Sequence, residues 1–417
     1  MVSLCFYFQV HQPYRIKRYR IFDVGVNGEY FSDNSEKNLN NKKVLLKVSE
    51  KCYLPANKLM LEMIKENPDF KISYSISGIA LEQFEEYCPE VLKSFQELVD
   101  TGNVEMLDET YYHSLSALYS KEEFIRQVKL HTQKIKKLFN KKPCVFRNTE
   151  LIYNNELAEW VSSLGYKGIL SEGTEKILGW RSPTYVYKPI NTDISLLLKN
   201  YRLSDDIAFR FSEKSWSEWP LTTEKFGSWI NSINGNGYLA NLFMDYETFG
   251  EHQWKETGIF DFMKALPKEI KKRSDNNFIT PSEAIKKYKP VADLNVPYYI
   301  SWADIDRDLS AWVSNKMQQS ALQELYSLEK DVLSTENNKI IDYWRKLQTS
   351  DHFYYMCTKW FADGDVHKYF NPYDSPYDAF ITFMNVLKDL RFRINEIKAN
   401  QLCYIPREVT KNETKQD

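Results

Sequence analysis

The run Tyr238-Leu239-Ala240-Asn241-Leu242-Phe243-Met244-Asp245-Tyr246-Glu247-Thr248-Phe249-Gly250-Glu251-His252-Gln253-Trp254 reads as a buried strand that ends abruptly in carboxylates, a histidine and an indole. Tyr238 to Met244 supplies the strand, and Asp245 is its first charged residue. A carboxyl group set among apolar neighbours has its pKa raised towards that of a general acid, and an indole such as Trp254 offers a flat face on which a pyranose ring can stack. The plainer reading makes Asp245, Glu247 and Glu251 the polar end of a strand and a solvated turn. What surrounds the stretch decides between the two.

Outward from it, short apolar runs alternate with amphipathic helical stretches. Val2 to Val10, Lys71 to Ser77, Val104 to Leu107, Val145 to Arg147 and Gly168 to Leu170 read as strands. Ala56 to Glu66, Leu81 to Thr101, Lys121 to Phe139 and Asn155 to Leu164 read as helices between them. Such alternation predicts parallel strands joined by right-handed crossovers, in a barrel or an open doubly wound sheet, with the chemistry at the carboxyl ends of the strands. From Ser301 the pattern becomes long helices, over Ala311 to Lys330, Ile340 to Thr349 and Tyr377 to Ile397. The expected division is a catalytic unit over 1–290, a helical unit over 291–406 that completes the site, and a polar, frayed segment over 407–417. Ile21 to Lys43, rich in Asn, Gly and charge, is expected to be a long loop of the kind that often serves as a functional lid.

The bulk composition narrows the partners. The 417 residues carry 55 basic and 57 acidic side chains, a net charge of -2 that gives no footprint for nucleic acid or an anionic membrane. No apolar run approaches the roughly 20 residues that span a bilayer. Aromatic residues make up 15% of the chain, roughly double an average share, and beyond filling the core they supply stacking surfaces for carbohydrate. The start, Met1-Val2-Ser3-Leu4-Cys5-Phe6-Tyr7-Phe8, lacks a basic leader, so a cytoplasmic location is expected. Cys5, Cys52, Cys88, Cys144, Cys357 and Cys403 show no ligand-like spacing and are expected to be reduced thiols. The wealth of Lys, Glu, Ile and Tyr would suit a thermophile.

Four further constellations accompany the Asp245 stretch. His11-Gln12-Pro13 follows the first strand, where a histidine can bond sugar hydroxyls, ligate a metal or simply satisfy the core. In Gly102-Asn103-Val104-Glu105-Met106-Leu107-Asp108-Glu109, Glu105 interrupts an apolar strand and needs an ion pair or a ligand. In Phe146-Arg147-Asn148-Thr149-Glu150-Leu151, Arg147 could hold a carboxylate ionised as a nucleophile requires, although Glu150 could equally complement a helix N-terminus capped by Asn148 or Thr149. Ser301-Trp302-Ala303-Asp304-Ile305-Asp306-Arg307-Asp308-Leu309-Ser310-Ala311-Trp312 packs acids and indoles at a density that suits a polyhydroxylated ligand or a capped helix start.

In this order and spacing the five pieces resemble the family 57 glycoside hydrolases, specifically their archaeal-type α-amylase branch. The resemblance implies an incomplete seven-stranded (β/α) barrel followed by an α-helical domain, and hydrolysis of α-1,4-glucosidic bonds with retention of configuration. It aligns Glu150 with the nucleophile and Asp245 with the general acid/base, and sets His11, Glu105, His252 and Asp304 against substrate. Trp180, Trp254 and Trp302 are the aromatic residues expected near it. The implied partner is starch, glycogen or a malto-oligosaccharide, and the scheme requires neither metal nor cofactor. Rival readings are a 4-α-glucanotransferase or branching enzyme using the same two carboxylates, a catalytically silent glucan-binding relative, and a zinc-dependent hydrolase of the same barrel type, such as the α-mannosidases and polysaccharide deacetylases.

Overall fold

A computed structural model describes residues 1–32, 38–359 and 371–403, with residues 402 and 403 described by their helical backbone. The segment expected to fray, 407–417, lies outside these. The strands that matter are β1 (Ser3–Val10), β2 (Ile72–Ile76), β3 (Val104–Met106), β4 (Val145–Arg147), β5 (Gly168–Glu172), β6 (Val186–Pro189), β7 (Ser195–Lys199) and β8 (Leu239–Asp245). Parallel ladders run β3-β2-β1-β8 in one sheet and β4-β5-β7 in the other.

Two seams join the sheets into a barrel. At the first, Asp108 bridges to Phe146, with Asp108 N–H donating to Val145 O at 3.2 Å and Arg147 N–H to Asp108 O at 2.8 Å. At the second, no ladder forms between β7 and β8. Asn241 spans the gap instead, accepting from Asn200 N–H and donating its amide to Leu198 O, both at 2.9 Å. The barrel of β1, β2, β3, β4, β5, β7 and β8 is therefore incomplete at one edge, and the alternative of an open doubly wound sheet is set aside. Short β6, antiparallel to β7, lies beside that edge.

The two faces of each strand explain the core. Outward residues of β1, Leu4, Phe6, Phe8 and Val10, pack with Ile72, Tyr74, Val104, Leu242 and Met244 against a jacket of helices. Inward residues Cys5, Tyr7, Leu107, Val145, Leu170, Leu197, Leu239 and Phe243 fill the barrel. Strands covered on both faces read as near-continuous apolar runs, as these do.

Several expected elements are divided. Leu81 to Thr101 is two helices, Gly78–Tyr87 and Pro89–Asp100, because Pro89 cannot donate to the preceding turn and starts a new helix. Ala311 to Lys330 is three, Ser310–Val313, Lys316–Ser327 and Glu329–Ser334, with Asn315 capping the second through a bond from Gln318 N–H at 2.9 Å. The Ile21 to Lys43 region ends in a helix from Asn41, and its loop is strapped to the helical region. Tyr30 Oη and Gly25 N–H both donate to Asp389 at 2.6 Å, and just ahead of the loop Tyr373 Oη donates to Ile16 O at 2.7 Å. No helix among the described residues is long and apolar enough to cross a membrane.

Candidate active site

Period-two alternation carries the barrel interior from apolar at its base to ionic at its mouth. Gln9, Arg147, Glu172, Lys199 and Asp245 stand at the carboxyl ends of their strands, with Glu109 just beyond β3. The chain then places Glu150 beside them through a tight turn, Thr149–Leu151, in which Glu150 and Leu151 both take left-handed φ of 57° and 50°. Such conformations cost about 1–3 kcal/mol each and persist only when the surroundings fix them. Here Thr110 and Thr149 hydroxyls bond at 2.8 Å, Trp302 N–H donates to Glu150 O at 3.2 Å, and Tyr153 and Ile300 exchange two backbone bonds. The next helix starts only at Asn155, so Glu150 does not complement a helix N-terminus.

Three donors converge on the Glu150 carboxylate. Trp302 Nε1 reaches Oε2 at 2.8 Å, Ser350 Oγ reaches Oε1 at 3.1 Å, and His113 Nε2 lies 3.4 Å from Oε1. His113 is anchored in turn by its Nδ1 to Glu109 Oε2 at 2.7 Å, and Gln9 donates to the other oxygen of Glu109 at 2.9 Å. Burial alone would make the His113 imidazolium unfavourable, but its bonds to Glu109 and Glu150 raise its pKa to about 9. Burial likewise pushes Glu109 up, and His113, His131 and Arg147 outweigh it to leave a pKa of about 2. Glu150 is set the same way: burial raises it, and the His113 bond, its charge and that of Arg147 bring it below the ordinary glutamate value. Glu150 is thus a carboxylate at neutral pH.

Asp245 behaves oppositely. It ends β8 with part of its surface open, and burial first, then the charge of Glu150, lift its pKa to about 6 against the pull of Arg147, His113 and Lys199. Two carboxyl groups within each other's field therefore titrate apart, and below about pH 6 the proton sits on Asp245 while Glu150 stays ionised, the pattern of an acid/base pair. Two residues on, burial and the charge of Asp245 raise Glu247 to about 8, and Tyr53 Oη donates to it. Tyr53 comes from a π-helical turn, Ser49–Tyr53, against which Gly250 sits so closely that a Cβ there would lie 2.0 Å from Lys51 O.

Of the residues singled out by sequence, the fold brings Glu150, Asp245, His11 and Trp302 into one neighbourhood. His11 stacks on His113 with ring centroids 4.0 Å apart and bonds Asp351 at 2.9 Å and Ser77 at 2.7 Å. Burial and then the charge of His113 lower its pKa. Trp302 is a donor to Glu150 whose ring is approached by Arg147 at 4.7 Å and Lys199 at 5.4 Å. Asp304 lies on the same loop, 3.8 Å from Lys359. His252 and Trp254 follow on the β8 turn. Burial lowers His252 to about 4, leaving it neutral, and Trp254 projects to solvent. Trp180 projects further, at 92% exposure. Glu105 does not join the group. Its carboxylate accepts from Ser282 N–H at 2.9 Å at the start of the helix Pro281–Lys287, and Cys5, Cys144 and Glu283 are its neighbours towards the base of the barrel. It satisfies a helix terminus.

Sequence reading missed Glu109 and His113 as a pair, although their i,i+4 spacing beside a strand end was visible. It also missed Ser350 and Asp351, which no local pattern marks. Glu172, Lys199, Asp205 and Arg307 were missed as well. They form one ionic network, with Arg307 reaching Glu172 at 2.6 Å and Asp205 at 3.3 Å, and Lys199 reaching Asp205 at 3.0 Å.

Comparison with known proteins identifies relatives of the chain and of its fold. A Methanocaldococcus jannaschii protein named "Putative alpha-amylase" is 44% identical over 407 residues, covering 95% of this chain and 85% of its own length. An α-amylase of Pyrococcus abyssi is 25% identical over 261 residues, or 60% of this chain; the match spans 38% of that longer enzyme. The fold of a family 57 branching enzyme from Pyrococcus horikoshii superposes with a TM-score of 0.64 over 95% of this chain and 88% of that one, at 14% identity. Residues 5–297 match glycosyl hydrolase family 57, and the chain belongs to that family.

Proposed function

We propose that the protein is a retaining α-glucan hydrolase of the α-amylase type, cleaving α-1,4 bonds of starch, glycogen or maltodextrin, with Glu150 as nucleophile and Asp245 as general acid/base. The observation that carries this reading is the opposed setting of the pair: Glu150 held ionised by three donors, Asp245 raised to about 6 in its field. The Glu150 carboxylate attacks the anomeric carbon while Asp245 gives its proton to the departing glycosidic oxygen. The resulting ester removes the charge on Glu150, so the pKa of Asp245 falls and it becomes the base that takes a proton from water. Water then attacks the anomeric carbon, the ester breaks, and Glu150 regains its charge. His113 and Trp302 serve by stabilising that leaving carboxylate.

The names of the relatives support an α-1,4-glucan as substrate. His11, His252, Asp304, Trp180 and Trp254 are proposed contacts for it, the two exposed indoles as stacking faces. We propose that residues 1–290 form the catalytic unit and 291–406 a helical unit completing the site, supported by the bonds of Ser350 and Asp351 to Glu150 and His11. A cytoplasmic location is supported by Cys5, Cys52, Cys88, Cys144 and Cys357, all free thiols. The test is hydrolysis of maltoheptaose by Glu150→Gln and Asp245→Asn, which should each be folded and inactive. NMR of the wild-type reaction should give the α-anomer first; a β-anomer first, or turnover by either variant, refutes the assignment. Products longer than the substrate would move the reading to a glucanotransferase.

A further inference from the structure

The loop that delivers Trp302 is held by an ionic network that the reaction scheme leaves unused. Its neck is closed by Ser301 N–H to Arg307 O at 3.1 Å and Ser301 Oγ to Asp308 O at 2.6 Å, and Arg307 N–H returns to Ala303 O at 3.2 Å. Asp304 and Arg307 take left-handed φ of 54° and 50°, which a residue with a Cβ adopts only under constraint. The outer side of the loop is tied by Lys359 Nζ to Asp306 at 2.7 Å and by Lys176 Nζ to Asp306 O at 2.6 Å. On the inner side the Arg307 guanidinium enters the barrel mouth. It donates to Glu172 Oε2 at 2.6 Å and Asp205 Oδ2 at 3.3 Å, and lies over the Tyr201 ring at 4.1 Å.

The charges of this network balance. Glu172 ends β5, Lys199 ends β7, Asp205 lies on the helix Tyr201–Ala208, and Arg307 is the one member supplied by the loop. Glu172 is fully buried, and without Arg307 its remaining cation, Lys199, stands 3.8 Å away. A buried ionic group that loses a partner is costly, so the network fixes Arg307 firmly, and Arg307 fixes the loop neck next to Trp302. Trp302 in turn places its N–H on Glu150.

We propose that Arg307 is a positioning residue that seats the Trp302 indole on the Glu150 carboxylate. This rests on the reading of Glu150 as nucleophile. A planar guanidinium suits the task because it reaches two carboxylates at once and stacks on Tyr201, which a lysine ammonium cannot reproduce.

The experiment is a double-mutant cycle of Arg307 and Trp302 in the full chain, with maltoheptaose as substrate and pH profiles of kcat/KM. Trp302→Phe and Arg307→Gln should each lower kcat about tenfold, the scale of weakening one hydrogen bond to a charged group. Each should also move the acid limb to higher pH. In the Trp302→Phe background, Arg307→Gln should add less than about twofold, since the two act through one bond. Arg307→Lys keeps the charge and, run through the same cycle, measures the same coupling should the glutamine variant fail to fold. Single effects that multiply in the double variant, or an Arg307 variant with wild-type kcat and acid limb, overturn the proposal. If Glu150→Gln keeps wild-type turnover, the nucleophile assignment falls and the role of Arg307 with it. If Glu150→Gln is silent and the cycle is additive, only the role of Arg307 falls.

Discussion

Replacing His113 by asparagine removes a charge while sparing the backbone, because His113 sits at φ 49° and asparagine tolerates that left-handed region better than most residues. The magnitude follows from its titration. Burial alone would lower the pKa of His113, yet its bonds to Glu109 and Glu150 raise it from 6.5 to about 9. A shift of that size corresponds to about 3 kcal/mol. A raised pKa contributes stability that is fully present below the unfolded value near 6.5 and is lost as pH rises through 9. His113→Asn should therefore lose about 3 kcal/mol at pH 6 and much less relative to wild type at pH 10, measured by urea unfolding at both pH values. The same change strips a cationic donor from Glu150, so the acid limb of kcat/KM should move to higher pH and turnover should fall roughly tenfold. A loss below about 0.5 kcal/mol at pH 6, or an equal loss at both pH values, would refute the reasoning.

Three further outcomes are expected. Gly250→Ala forces a Cβ against Lys51 O at a backbone φ of 113°, and should destabilise the chain by about 2–4 kcal/mol in denaturant unfolding while lowering turnover through the Asp245 turn. Glu105→Gln, at the helix terminus, should cost about 1 kcal/mol of stability and leave kcat and KM on maltoheptaose within about twofold of wild type; a large fall in kcat would return Glu105 to the substrate. In wild type, kcat/KM should fall as pH rises through about 6, where Asp245 loses its proton, and the acid limb should lie below the ordinary glutamate range because Glu150 is held ionised.

Much of the fold could be read from pattern. The apolar runs at Val2 to Val10 and Tyr238 to Met244 are strands because both faces are covered, and Lys121 to Phe139 is a helix with the predicted ends, capped by Ser120 and closed by Asn140 in the left-handed region. Helix breaks were harder. Pro89 and Asn315 each begin a new helix within a continuous apolar rhythm, and periodicity carries no mark of a change in axis direction. Short β6 escaped notice because four residues ending in Pro189 hold too little pattern to separate from a loop.

The two carboxylates proposed as the reacting pair stood out in the sequence because Asp245 ends an apolar strand and Glu150 lies three residues beyond one. Alternation sends Glu105 and Glu109 to the same side of their strand, but not to the same depth. Glu105 meets a helix terminus near the base, and Glu109 meets His113 at the mouth. Which level of a barrel an inward carboxylate occupies depends on its neighbours in space, and one strand does not carry that information. Ser350 and Asp351 illustrate the same limit, for they reach Glu150 and His11 across 200 and 340 residues of chain.

The central claim is that Glu150 forms the covalent bond and Asp245 moves the proton. The most direct measurement is to incubate the protein with a fluorinated maltosyl fluoride, whose glycosyl-enzyme hydrolyses slowly, and to locate the label by peptide mass spectrometry. The expected result is one glycosyl group, on the peptide carrying Glu150 and at that residue. A label on Asp245, or turnover with no covalent species at any time, would contradict it.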